Sequence, residues 1–284
     1  MALFEMKFQP GVDKQDTAVG ATDRWIDSDN VRWRYNLPEK VGGWSSLLTD
    51  TIVGVARAQH SFVDLDGNRY VAIGTDKFLL IYFEGQLYDI TPLANTIATC
   101  TITSTTGSST VTIGKSAHGL AEGALLIFDN VTIPAGCSFT TGDFETNTFE
   151  IQAINTNDFN VVMTSTETGG GASAGAGLDT EPYEVVGPVN QTFQYGWGTG
   201  SYSTSTWGTA RTSSQIILDP GTWSLDNFGD VLFATIANAK TYTWDSSIAA
   251  RFTTRASTTT TDYLTSSAPT ASRTMMMSPV TRHL

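Results

Sequence analysis

The sequence predicts an all-β protein, built from β-propeller-type meander blades and interrupted by an inserted small β-barrel or sandwich domain. Three observations carry this expectation. Short apolar runs alternate with Asp, Asn and Gly turn residues; Thr, Ser, Val and aromatic residues dominate, with only 15% charged residues and no long Ala/Glu/Lys/Leu runs. A four-run meander also returns near the C-terminal end, at the scale of a propeller blade. The 284 residues hold enough apolar side chain for one large or two modest domains, so size forces neither a cofactor nor a staple.

Residues 1–44 read as an arm leading into the propeller. The stretch "QPGVDKQDTAVGATDRWIDSDNVRWRYNLPEKVGGW" alternates acids with arginines, and Pro10, Gly11, Pro38, Gly42 and Gly43 exclude a long helix. An extended arm followed by a short strand or turn is expected. If "NVRWRY" is a strand, Arg32 and Arg34 share one face, and Val31, Trp33 and Tyr35 the other. Two readings stay open: Trp33 plugs the first blade while the arginines pair with Asp27 and Asp29, or Trp25, Arg32, Trp33, Arg34 and Trp44 form an interface with another subunit or protein.

Residues 45–94 give the first propeller strands. "GVARAQHSFV", "RYVAIGT", "FLLIYF" and "QLYDITPL" are separated by "DLDGN", "TDK" and "EG", and these residues favour hairpin turns because they tolerate positive φ. Residues 95–182 change texture to Thr, Ser and Gly, with strands expected at "STVTIG", "ALLIFDNV", "NTFEIQAI" and "DFNVVMT" and turns at "AHGLAEG" and "NTND". "TGGGASAGAG" reads as a flexible exit from this insert. Residues 183–284 resume the propeller: "DNFGD" lies over "DLDGN", "VLFATI" over "YVAIGT" and "KTYTWD" over "FLLIYF". A third start, "TMMMSPVTRHL", stops at Leu284, so the propeller is expected to be incomplete there and completed by further sequence or by another chain.

Sites of chemistry are sparse. The net charge of −12, from 16 basic and 28 acidic residues, argues against a basic nucleic-acid-binding patch, although an acidic surface can border DNA without holding it. Cys100 and Cys137 fit neither a disulfide framework nor a zinc spacing, and His60, His118 and His283 lack a second ligand at metal-binding spacing. "DLDGN" opens like a calcium loop, but Arg69 and Thr75 stand where that loop needs glycine and glutamate, so a hairpin turn is expected. Acidic pairs such as Asp226 with Asp230 offer no preferred glycosidase arrangement. No catalytic, cofactor-binding or metal residue is assigned, no cofactor is expected, and the chain reads as a non-enzyme. Trp197, Trp207 and Trp223, set among Gly, Ser and Thr, either stack on a sugar or base or wedge between loops and neighbouring blades. The N-terminal "MALFEMKFQP" lacks a signal-peptide pattern, and no window reaches 18 apolar residues, so no membrane-spanning segment is expected.

The run "RWIDSDNVRWRYNLPEKVGGW" resembles the opening block of short-tailed phage (podovirus) tail nozzle proteins, also called packaged-DNA stabilisation proteins. Trp25, Asp27, Asp29, Val31, Arg32, Trp33, Arg34, Pro38, Glu39, Lys40, Gly42, Gly43 and Trp44 carry the likeness. "LYDITPL", "GSSTVTIGKSAHGLAEG", "GTARTSS", "TWSLDNFGD" and "SPVTRHL" continue it in the same order. The resemblance implies a bacteriophage virion structural protein assembled in the host bacterial cytoplasm. It implies a homohexamer whose propellers surround the genome-ejection channel below the tail adaptor. Tail fibre or needle proteins would be neighbours, and DNA would pass without specific binding. The alternatives are a receptor- or glycan-binding tail propeller and, below that, a tail glycosidase.

Overall fold

The computed structural model describes residues 9–21, 23–43, 45–46, 48, 50–190, 219–258 and 271–278. The chain divides into two compact units, Met1–Thr49 and Asp50–Leu284.

The first unit is held by backbone bonds more than by a core. Asp13 N–H donates to Trp25 O at 2.8 Å, and Val12 bridges Trp25 in parallel. The strands β1 (Val31–Arg34) and β2 (Leu37–Lys40) then pair antiparallel, with Val31 opposite Lys40 and Trp33 opposite Pro38. Tyr35 and Asn36 form the two-residue turn with φ of 50° and 65°, the paired positive values that suit tight hairpins. This corrects one expectation. Tyr35 leaves the strand in the turn and is 85% exposed, so the Val31 and Trp33 face ends at Trp33. Ala21 is the buried apolar residue among the described part of this unit.

The second unit opens with a four-stranded antiparallel meander: β3 (Ala56–Val63), β4 (Arg69–Thr75), β5 (Leu79–Phe83) and β6 (Gln86–Asp89). Its turns are those the sequence marks. Asp64 accepts from Asn68 N–H at 2.7 Å around Gly67, and Glu84–Gly85 turns with φ of 46° and 91°. The alternating side chains of β4 and β5 are buried on both faces: Tyr70, Ala72, Leu79 and Ile81 on one, Ile73 and Leu80 on the other.

Chain segments 92–94 and 182–184 pair with each other. Leu93 bridges Tyr183, Ala94 N–H donates to Pro182 O at 2.8 Å, and Glu184 N–H donates to Pro92 O at 3.0 Å. Between them lies a separate sheet of β7 (Ile97–Ser104), β8 (Thr110–Gly114), β9 (Leu125–Asp129), β10 (Phe149–Glu150), β11 (Ala153–Ile154), β12 (Asp158–Val162) and β13 (Ala172–Pro182). Its order is β10-β9-β13-β7-β8-β12-β11. β10 and β11 are successive parts of one extended segment. Ile151 N–H donates to Ala124 O and Gln152 N–H to Asn160 O, both at 3.0 Å, so the segment joins the two edges and nearly closes the sheet into a barrel. Alternate residues fill it: Cys100 and Ile102, Val111 and Ile113, Leu126 and Phe128, Phe159 and Val161. A short helix, α1 (Thr141–Glu145), sends Phe144 into this core against Phe128 and Phe139. Asp143 accepts from both Thr140 N–H and Thr140 Oγ1 and so anchors a helix too short to persist alone.

β13 corrects a second expectation. "ASAGAG", read as a flexible exit, opens the 11-residue strand that pairs with both β7 and β9. Small residues suit this place, since a Cβ on Gly177 would stand 3.0 Å from Ile102 Cδ1.

The second meander comprises β14 (Trp223–Phe228), β15 (Val231–Ile236) and β16 (Thr241–Asp245). It stacks on the first: Phe62, Tyr70, Leu79 and Ile81 share one buried cluster with Trp223, Leu232, Ile236, Tyr242 and Trp244. This is the blade-on-blade packing that the repeated pattern predicts, and the two aligned turns touch, with Leu65 N–H donating to Asp230 Oδ1 at 2.7 Å. Residues 256–257 lace the sheets, through Ala256 N–H to Ile90 O and Ser257 paired with Thr243. The described part of the third start, residues 274–278, forms no strand. Met275 and Met277 instead cover Val231 and Phe233 on the outer face of the second meander.

Candidate functional site

The interface residues expected from sequence fall on the N-terminal hairpin. Along β1, Val31 and Trp33 are half-buried while Arg32 and Arg34 are exposed. Trp33 meets Trp25 with ring centroids 5.8 Å apart. Arg32 does not pair with Asp27 or Asp29. Its Nε donates to Glu39 Oε2 at 3.0 Å across the hairpin, a bond that raises the guanidinium pKa and lowers that of the carboxylate. Strand pairing explains the choice, because Arg32 and Glu39 are directly opposite. Asp27 pairs with Lys14 at 3.2 Å instead. Arg34 lies over the Tyr35 ring at 5.4 Å. Ile26, Tyr35 and Leu37 are exposed beside these groups, so the hairpin displays apolar and cationic surface together. Trp44 lies outside the described residues.

The stacking tryptophans divide differently. Trp223 is 4% exposed and packs closely against Gly74, where an added Cβ would stand 2.6 Å from its ring, and its indole N–H donates to Thr75 O at 3.0 Å. It is a wedge between the two meanders, and its buried faces leave no room for a sugar or base. Trp197 and Trp207 lie outside the described residues. On either side of them, Arg57 holds the chain together by donating to Gly221 O at 2.6 Å and also to Val189 O.

The polar residues weighed as chemistry are engaged in structure. Asp226 accepts from Asn227 N–H at 2.9 Å and Met277 N–H at 2.7 Å, while Asp230 holds Leu65, so these two acids cap separate backbone groups. His60 Nε2 is 2.9 Å from Asn227 Oδ1. His118 donates from Nε2 to Asn155 O and accepts Leu120 N–H at Nδ1. Among the described residues no group of three or more His, Cys, Asp or Glu is arranged to hold a metal, and no helix is long and apolar enough to cross a membrane.

Two polar nodes had no signal in the sequence. In the barrel, buried Glu167 accepts from Cys137 Sγ at 2.8 Å, from Ser138 N–H at 2.7 Å and Oγ at 2.5 Å, and from Gly169 N–H at 2.8 Å. The Cys137 and Ser138 bonds lead in lowering its pKa to about 2. Burial first, and the same carboxylate second, raise the Cys137 pKa, which makes the thiol a donor and a poor nucleophile. At the barrel stalk, Arg255 donates to Asp89 Oδ2 at 2.8 Å, to Thr91 O at 3.1 Å and to Tyr183 OH at 3.1 Å, with its guanidinium 4.9 Å from the Tyr183 ring centroid. Tyr183 in turn donates to Asp89 Oδ2 at 2.9 Å. Burial works against the Arg255 charge, and Asp89 and Tyr183 outweigh it, leaving the guanidinium pKa raised. First meander, barrel stalk and the segment after the second meander thus converge on one guanidinium.

No family model and no curated protein matches the chain. Among solved structures it is similar to the phage phi92 endosialidase at a TM-score of 0.25 and 15% identity, covering 66% of this chain and 36% of that one. This chain therefore spans about a third of that structure's length, and the likeness is too slight to assign fold or activity.

Proposed function

We propose that the chain is a structural subunit of a bacteriophage virion tail, a nozzle component whose blades, in several copies, surround the channel by which the genome leaves below the adaptor. The observation that carries this reading is the run from Trp25 to Trp44, whose residue types and spacings resemble the opening block of podovirus nozzle proteins along its whole length. The stacked meanders with a barrel inserted between them are the architecture that resemblance implies. The role is geometric and electrostatic. A net charge of −12 disfavours phosphate contacts, so DNA would slide past an acidic lumen without sticking.

The N-terminal hairpin is the proposed contact to a neighbouring subunit or the adaptor. It exposes Trp25, Ile26, Tyr35 and Leu37 beside Arg34, whereas a two-stranded hairpin with so little buried apolar surface is marginal alone. Cryo-EM of assembled tails tests the reading. The expected result is a closed ring, with acidic residues lining the channel and the hairpin buried between chains. A basic channel, or a chain that stays monomeric in assembled tails, would overturn it, as would hydrolysis of host polysaccharide by the purified protein.

A further inference from the structure

Stacked sheet repeats bury each apolar face against the next repeat, so the ends of a stack need a cover of a different kind. The first meander meets the second through one face, with Phe62, Tyr70, Leu79 and Ile81. Its opposite face carries Val71, Ile73 and Leu80, and Ile73 and Leu80 are buried there together with Phe78. The cover on that side is the barrel. Leu125 and Ile127 of β9 and Leu93 and Tyr183 of the stalk pack on this cluster, along with Ile52 of the entering chain. Tyr183 meets Phe78 edge to face with ring centroids 5.3 Å apart, and Lys77 Nζ lies 3.7 Å from Glu150 Oε2 across the same contact. The alternation of β9 serves both sides: Leu126 and Phe128 fill the barrel, while Leu125 and Ile127 point out onto the meander.

The rest of that face is unsuited to a blade. Gln59 and Ser61 of β3 stand directly opposite Ile73 and Val71 in the ladder and so share their face. Both are polar and exposed, whereas Phe62 of the same strand is buried on the side of the second meander. The face is therefore apolar under the barrel and polar beyond it. A stacked blade would cover β3 as well and would call for apolar residues there. The second meander differs on its outer face. Val231 and Phe233 are buried there beneath Met275 and Met277, and Met275 N–H donates to Ser224 Oγ at 3.1 Å while Met277 N–H donates to Asp226 Oδ2 at 2.7 Å. The segment that opens the third repeat thus lies on this face, at the opposite end of the stack from the barrel.

We propose that the barrel takes the place of a blade: it caps the stack at the first meander, so that no blade of this chain or of a second copy stacks there and further blades add only beyond the second meander. The function of the insert is to end the stack in one direction. This inference stands apart from the virion reading, because a capped stack can serve a chain of any role, and a ring-shaped tail assembly can form with or without a blade on the first meander.

Two measurements on the full chain test it. The first is hydrogen exchange in the double variant Leu125→Asp with Ile127→Asp, which leaves the inward residues of β9 in place. Amides of residues 69–83 are expected to exchange about tenfold or more faster than in the wild type, while those of β8 and β15 stay within about twofold. Should that variant fail to fold, Leu125→Ala with Ile127→Ala gives the same comparison with a smaller change of the same sign. Unchanged exchange over residues 69–83 would overturn the proposal, since the barrel would then hang beside the meander without covering it. The second is maleimide labelling of Ser61→Cys against the wild-type background, at low concentration and at the highest oligomer the protein forms. Labelling within about threefold at both is expected. Protection of about tenfold or more on assembly would overturn the proposal, because it would place another blade on the face that the barrel is inferred to close.

Discussion

Replacing Arg255 with Met should loosen the joint between barrel and meanders. The substitution keeps most of the side-chain length and removes bonds to Asp89 at 2.8 Å, Thr91 O at 3.1 Å and Tyr183 OH at 3.1 Å, as well as the contact with the Tyr183 ring. Asp89 is left with Thr91 N–H and Tyr183 OH, each at 2.9 Å, and with Thr91 Oγ1 at 2.5 Å. Breaking a fully buried pair costs about 3–5 kcal/mol, and a surface pair contributes about 0–1. Arg255 and Asp89 are 25% and 31% exposed, between those limits, so about 2–3 kcal/mol is expected. For a body of this size that lowers Tm by about 4–12 °C. Thermal unfolding of Arg255→Met, Asp89→Asn and the double variant measures it, and the cycle should give a coupling of about 1 kcal/mol or more. Additive effects, or a loss below about 0.5 kcal/mol from Arg255→Met, would refute the view that this guanidinium joins the three elements.

Two further outcomes follow from other contacts. The folded pKa of Glu167, about 2, lies below the ordinary value near 4.3, so its carboxylate stabilises the fold above that value and the contribution disappears as pH falls toward 2. Urea midpoints across that window should drop for the wild type and drop less steeply for Glu167→Gln, and an unchanged slope would assign the acid lability to other groups. Gly74→Ala would place a Cβ 2.6 Å from the Trp223 ring and should cost about 1–3 kcal/mol in denaturant unfolding; Trp223→Leu in the same chain should relieve part of that loss.

The meander strands were legible because their turns are written in residues with a specific backbone need: Asp64 to Asn68, Glu84 with Gly85, and the matching Asp226 to Asp230. β13 was not, because a strand between two neighbours is held by its backbone, and composition alone makes Gly and Ala look like linker. α1 is five residues, too short for a period to show. At the candidate sites, Arg32 found Glu39 through the Tyr35–Asn36 turn, and that turn was the signal needed to prefer it to Asp27 or Asp29. Nothing local reveals that Trp223 would meet Gly74, or that Tyr242 would face Glu184, since both contacts join segments distant in sequence.

The paired segments 92–94 and 182–184 have a consequence for how this protein can change. The two ends of the barrel lie side by side, bonded to each other through Leu93 and Tyr183, so the distance the meanders must bridge is set before the barrel begins. A shorter, longer or unrelated module hung between the same ends would leave the strand register on either side untouched. The barrel is in this sense a cartridge: a module whose exchange need not re-pair the meander strands, mounted on a joint formed by its own two ends.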